Sequence, residues 1–239
     1  MEGAQAVREA QRHGRVRELF VTDAAAARHP ELLGAGSSRP SWITERAAAS
    51  LSDTVTPQGI FAVCDLVDVP LERSLAGAPR LVAVCVAVGD PGNVGTIIRV
   101  ADAAGADAVV LAGDAVDPHN GKAVRASTGS LFHLPVTRER DTAAALAACR
   151  AAGLTTLVAD ARGELDLHDP AVAPVLAGPV AWIFGGEAHG VPATVAEAAE
   201  HRVRVPIHGR AESLNLATAA AVCLYASVGA RRLRSRPDE

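Results

Sequence analysis

Residues Leu81–Val88 form an unbroken apolar run. A strand with one wet face alternates polar and apolar positions. A run with no polar position belongs in a sheet covered on both faces, which in practice is a parallel sheet wrapped by helices. The residues after the run fit that demand. Gly89-Asp90-Pro91-Gly92-Asn93 breaks the strand, and Val94–Ala104 reads as a helix. Val94, Ile97, Ile98 and Ala101 fall at i, i+3, i+4 and i+7, giving one apolar stripe. Asn93 reads as its N-cap and Gly105 as its stop.

The same alternation continues. Strands are expected at Ala108–Leu111, Leu131–Val136, Thr155–Ala159, Val180–Phe184 and Arg202–Ile207, and helices at Lys122–Ser127, Thr142–Ala152, Ala193–Glu200 and Leu214–Gly229. Upstream lies a smaller α/β pattern. It has helices at Ala4–His13, Glu31–Leu33 and Thr44–Leu51 (capped by Thr44), and strands at Val16–Val21, Pro40–Ile43 and Gly59–Val63. A domain whose first element is already a helix suggests a missing upstream segment. Residues 69–80, with two prolines and a glycine, read as a linker or a domain-edge loop. The expected division is therefore 1–78 and 79–239, an α/β chain in two domains.

Composition narrows the function. Of 239 residues, 49% are hydrophobic and 21% charged, which excludes a disordered chain. A net charge of −4 excludes nucleic-acid binding through bulk charge and leaves local patches open. Cys64, Cys85, Cys149 and Cys223 form no CxxC pair, so neither a disulfide framework nor a metal site is expected. The longest apolar run is too short to span a bilayer, and the N-terminus has no signal core. A cytoplasmic protein without membrane partners is expected.

Four stretches carry candidate chemistry. The first is the Gly89–Arg99 turn and helix, where Arg99 stands off the apolar stripe and reads equally as a solvated arginine. Its glycines, at 89, 92 and 95, are a weak match to a dinucleotide fingerprint, with Asp114 as the ribose-binding acid of an oxidoreductase. The second is Phe184-Gly185-Gly186-Glu187-Ala188-His189-Gly190, a glycine-rich loop suited to gripping a ligand by its backbone. The third is Val205–Leu216, where Ser213 reads as a helix cap and Asn215 gains little from a place inside the first turn. The fourth, Asn120–Ser130, concentrates Lys122, Arg125 and hydroxyls that suit phosphate contacts or a solvated helix face.

Taken in order, these stretches resemble the SpoU (TrmH) family of RNA ribose 2′-O-methyltransferases, over about residues 81–230. Asn93-x-Gly95-x-Ile97-x-Arg99 is similar to the family's first motif and Gly185-Gly186-Glu187-x-x-Gly190 to its second. Pro206-x-x-Gly209-x-x-Glu212-Ser213-Leu214-Asn215 is similar to its third, and Ser127-x-Gly129-Ser130-Leu131-Phe132-x-Leu134-Pro135 also fits. The first block resembles the family's small RNA-binding domain.

The resemblance implies a C-terminal SPOUT α/β-knot, in which the last helix threads a loop, and an obligate homodimer with sites completed across the interface. It implies S-adenosylmethionine as cofactor, held around Gly185, Gly186, Val205, Ile207 and Leu214. It makes Asn93, Arg99, Glu187, Ser213 and Asn215 the catalytic set, with Lys122 and Arg125 on the RNA. Ribosomal RNA of the large subunit is the expected substrate. Competing readings are an RNA-binding protein without catalysis, a tRNA 2′-O-methyltransferase, and the oxidoreductase.

Overall fold

The computed structural model describes residues 1–34, 39–186 and 190–234. Helix α1 (Ala4–Arg12) opens the chain and buries Ala4, Ala6, Val7 and Ala10. Strand β1 (Val16–Val21) is the centre of a three-stranded sheet. It pairs in parallel with β2 (Pro40–Trp42) and antiparallel with β3 (Ile60–Cys64). The short helix α2 (Asp23–Arg28) is capped by Thr22, whose Oγ1 accepts from Ala25 N at 3.2 Å. Helix α3 (Glu45–Leu51) is capped by Thr44 in the same way. Val7, Leu19, Val21, Ala25, Leu32 and Ile60 close this small core.

Residues 69–80 are not an open loop. They hold helix α4 (Leu71–Ser74), whose Leu71 joins Leu75 in the core of the large domain. Val69 N also donates to Val136 O at 2.9 Å.

The large domain is a seven-stranded sheet in which every strand pair is parallel. In chain order its elements are β4 (Leu81–Val86), α5 (Pro91–Ala103), β5 (Ala108–Ala112), α6 (Gly121–Ser127), β6 (Val136–Glu139) and α7 (Thr142–Ala151). There follow β7 (Thr155–Ala159), β8 (Leu165–Asp166), α8 (Ala173–Ala177), β9 (Val180–Gly185), α9 (Ala193–Ala198), β10 (His201–Arg204) and α10 (Leu216–Arg234). Across the sheet the order is β6-β5-β4-β9-β7-β10-β8.

Two cores flank it, and strand alternation assigns them. Leu81, Ala83 and Cys85 of β4, with Trp182 and Phe184 of β9, face α5, α8 and α10. Val82, Val84 and Val86, with Ala181 and Ile183, face α4, α7 and α9. Positions 81–86 of the apolar run are thus explained one by one. Helix α10 packs back over β9 and against α5 and α8.

Several boundaries differ from the sequence expectation. Leu131–Val136 is not a strand. Ser130–Phe132 makes a 3-10 turn, entered through left-handed Thr128 (φ 54°) and Gly129 (φ 99°), and β6 begins only at Val136. Helix α5 starts at Pro91, not Val94. Its cap is Asp90, whose Oδ1 accepts from Asn93 N at 2.8 Å, so Asn93 is not the cap. Strand β10 ends at Arg204, short of Ile207. Helix α10 starts at Leu216, which moves its cap from Ser213 to Asn215.

Candidate active site

Strands β9, β7 and β10 lie side by side, and the chain leaves each of them at the same sheet edge. Open parallel sheets bind ligands at the carboxyl ends of their strands. There, a cleft of about 410 Å³ opens. After β7 its wall is Ala159, Asp160 and Ala161; after β9 it is Gly185 and Gly190; after β10 it is Val205, Ile207 and Glu212–Leu216. The lining is mostly apolar with a few polar groups, which suits a small organic ligand.

Glycine is required in the β9 wall. Gly190 N donates to Gly186 O at 2.8 Å, closing the loop. A Cβ on Gly185 would run into the backbone of Gly190 and Val191, and one on Gly186 would sit 2.7 Å from Ala87 O. Gly186 therefore supports the wall from behind and does not line the cleft. Glu187 and His189 lie outside the described residues.

On the neighbouring side, α5, α6 and α10 enclose a shallower groove of about 740 Å³. Asp90, Asn93, Thr96, Lys122 and Arg125 line it. Lys122 Nζ lies 2.7 Å from Asp90 Oδ2. The Lys122 ammonium, helped by the Asn93 N–H, holds the Asp90 carboxyl below the usual carboxylate range. Arg125 Nη1 lies 3.7 Å from the Glu2 carboxylate of the small domain. Phosphates are bound by such cations set beside backbone N–H groups.

Asn215 lines both the cleft and the groove. Its Oδ1 accepts from Ala217 N at 3.0 Å and Thr218 N at 3.2 Å, capping α10. Its Nδ2 donates to Asn93 Oδ1 at 3.1 Å. The two asparagines, 122 residues apart in sequence, are thus the bridge between the two spaces.

The structure brings together Ser213, Leu214, Asn215, Gly185, Val205 and Ile207 around the cleft, with Asn93, Lys122 and Arg125 in the groove. Arg99 stands apart. It is exposed on α5, lines neither space and has no hydrogen-bond or ion-pair partner among the described residues. Asp160, Asp90 and Thr96 were not foreseen. Asp160 follows directly on a readable strand, so its place at a strand end was the available signal.

The glycine fingerprint dissolves in the structure. Gly95 lies inside α5, and a Cβ there would strike the Ala123 carbonyl of α6. It serves helix packing, and Asp114 lines neither the cleft nor the groove.

A parallel α/β domain with a small-molecule cleft at its strand ends, joined to a cation-lined groove and a small α/β domain, defines a cofactor-dependent enzyme with an attached substrate-binding module. Residues 80–225 match the SpoU rRNA Methylase family, and residues 1–70 match the family described as RNA 2′-O ribose methyltransferase substrate binding. The chain belongs to the SpoU rRNA methylase family.

It is 39% identical over 234 residues to the 23S rRNA (guanosine(2553)-2′-O)-methyltransferase RlmP of Bacillus subtilis, covering 94% of this chain and 86% of that one. It is 38% identical over 146 residues to the 23S rRNA (uridine(2479)-2′-O)-methyltransferase of Streptomyces viridochromogenes, covering 59% of this chain and 50% of that one. Among solved structures, the SpoU methyltransferase AviRb of Streptomyces viridochromogenes with AdoMet superposes with TM-score 0.84 at 29% identity, covering 98% of this chain and 90% of that one. The AdoMet-bound rRNA methyltransferase of Sinorhizobium meliloti gives 0.81 at 28% identity, covering 99% and 87%.

Proposed function

We propose that this chain transfers a methyl group from S-adenosylmethionine to a ribose 2′-hydroxyl in 23S ribosomal RNA. The observation that carries the reading is the junction at Asn215, where a cofactor-sized cleft meets a cation-lined groove through one hydrogen bond to Asn93. The relatives named above support the substrate, and two AdoMet-bound neighbours support the cofactor.

The residues of the cleft fit the cofactor. Val205, Ile207 and Leu214 offer an apolar wall, Gly185 lets the backbone approach, and Asp160 and Glu212 supply negative charge for a cationic ligand. Bound there, the sulfonium supplies an activated methyl group. The protein's share is alignment of donor and oxygen, plus stabilisation of the charge that develops on that oxygen. Asn93 and Asn215 hold the junction, Ser213 and Asn215 complete the pocket, Glu187 is assigned to holding Arg99 or the substrate, and Lys122 and Arg125 take RNA phosphates. A guanidinium is a poor base, so the role of Arg99 is positioning and charge stabilisation.

The exposure of Arg99 outside its own chain's cleft supports a homodimer in which Arg99 serves the partner's site. Residues 1–78 grip the RNA and 79–239 carry catalysis and the SPOUT knot. An rRNA substrate supports a cytoplasmic location, and no described helix is long and apolar enough to cross a membrane.

Calorimetric titration with S-adenosylhomocysteine tests the cofactor site. The expected result is micromolar binding that Gly185→Ala weakens at least tenfold and Arg99→Ala leaves intact. Loss of binding in folded Arg99→Ala, or none in the native protein with and without rRNA, contradicts the assignment.

A further inference from the structure

Helix α1 meets the large domain through a polar cluster away from the cleft and the groove. Glu9 is only 6% exposed. Its Oε1 accepts from Arg12 Nη1 at 2.9 Å and Gln5 Nε2 at 3.3 Å. Its Oε2 lies 3.5 Å from His133 Nε2, a long contact for a hydrogen bond. Gly129 makes room for it, since a Cβ there would collide with Glu9 Cγ.

The two histidines nearby are held alike. His133 Nδ1 lies 2.7 Å from Asp102 Oδ2 on α5, and His13 Nδ1 lies 2.9 Å from the Glu9 carbonyl oxygen. A carboxylate and a carbonyl only accept, so both Nδ1 atoms carry the hydrogen. In the neutral rings this leaves each Nε2 with a lone pair. Histidines that ligate metals are fixed in this way, one ring nitrogen donating to a carboxylate or carbonyl and the other facing the ion. One potential ligand atom from each of Glu9, His13 and His133 falls within 4.8 Å of the others. A contrast is offered by His119, whose Nε2 accepts the Val67 N–H and so is not available to an ion.

We propose that Glu9, His13 and His133 form a divalent transition-metal site, suited to zinc, that clasps the small domain to the large one. Two imidazoles and a carboxylate, with a fourth position open to water, form a common zinc donor set. Bond lengths of about 2.0–2.2 Å set tetrahedral ligand atoms about 3.4 Å apart, so the exposed rings turn inward on binding. Asp102 and Glu9 together outweigh the opposing Arg12 charge. No cysteine pattern announced this site, because its ligands lie on residues 124 apart in sequence and need no thiolate. The site does not depend on the methyl-transfer reading.

The test is a titration of zinc, and of cobalt(II) as an optical probe, into the untagged, chelator-stripped full chain. One ion per chain is expected, with the visible absorption of tetrahedral cobalt and no thiolate charge-transfer band. His13→Ala, on an exposed ring that leaves the fold intact, weakens binding at least tenfold. Asp102→Asn weakens it about 10- to 100-fold through the orientation of His133. Cys64→Ser leaves it unchanged. No stoichiometric uptake by the native chain overturns the site, as does native-like binding by the His13→Ala/His133→Ala double variant. A thiolate band lost in Cys64→Ser also overturns it.

Discussion

Asn215 carries two loads on one amide. Its oxygen caps α10 and its nitrogen donates to Asn93, so the amide has one satisfactory orientation. This separates two substitutions. Asn215→Asp keeps an acceptor at the helix N-terminus but turns a lone pair toward Asn93 Oδ1. It is expected to retain the melting temperature and lose most methyl transfer. Asn215→Ala loses both, and unfolding is expected to show a cap's worth of stability gone, about 1 kcal/mol. Full methyl transfer by Asn215→Asp would remove the Asn93 bond from the site. The sequence names Asn215 as important but misjudges why, because a helix started at Leu214 gives Asn215 nothing to cap. The reverse error falls on Asn93. The telling signal there is Pro91, whose place at N1 makes Asp90 the cap. Thiols follow the same logic of surroundings. Burial pushes Cys85 and Cys223 up to about 12 and Cys149 to about 11. A thiol reagent on the native protein at pH 8 is expected to reach Cys64 first and the other three only on unfolding.

At the scale of elements, the long strands and helices were legible because each buries a continuous stripe. Leu81–Val86 and Val180–Gly185 sit at the centre of the sheet, where both faces are covered and every position is apolar. The elements that escaped are short: α2, α4, α8 and β8. A helix of four to six residues has little stability of its own and exists through packing, so local sequence does not announce it. The 3-10 turn at Ser130–Phe132 escaped because its left-handed entry lies at Thr128, a residue that gives no hint of positive φ. Helix α10 is tied to β9 by a buried bond, Trp182 Nε1 donating to Ser227 Oγ at 2.9 Å. Ser227→Ala leaves that indole N–H without an acceptor and is expected to cost about 1–3 kcal/mol in urea unfolding. A cost near zero would mean that the tie contributes nothing to holding the last helix on the sheet.

The whole molecule reconciles a net charge of −4 with an RNA substrate by concentrating cations. Lys122 and Arg125 face one groove, and Arg99 projects from the adjoining helix. RNA affinity is expected to fall with salt, and Lys122→Ala to lessen the slope of log affinity against log salt by about 0.7–0.9. An unchanged slope would take that side chain off the phosphates. The family was legible in three spaced motifs, whereas the meeting of Asn93 with Asn215 was not. It arises from the return of α10 over the sheet to pack against α5, which no local pattern encodes. If Arg99 serves the partner's site, mixing inactive Arg99→Ala with inactive Gly185→Ala protein is expected to restore measurable transfer.

The central claim is tested most directly by giving the protein methyl-labelled S-adenosylmethionine and 23S rRNA, then locating the label. Label in a 2′-O-methylated ribose, at a linkage that resists alkaline cleavage and absent with Asn215→Asp, is the result expected. Label in a base, or no transfer by a dimer that binds S-adenosylhomocysteine, would contradict it.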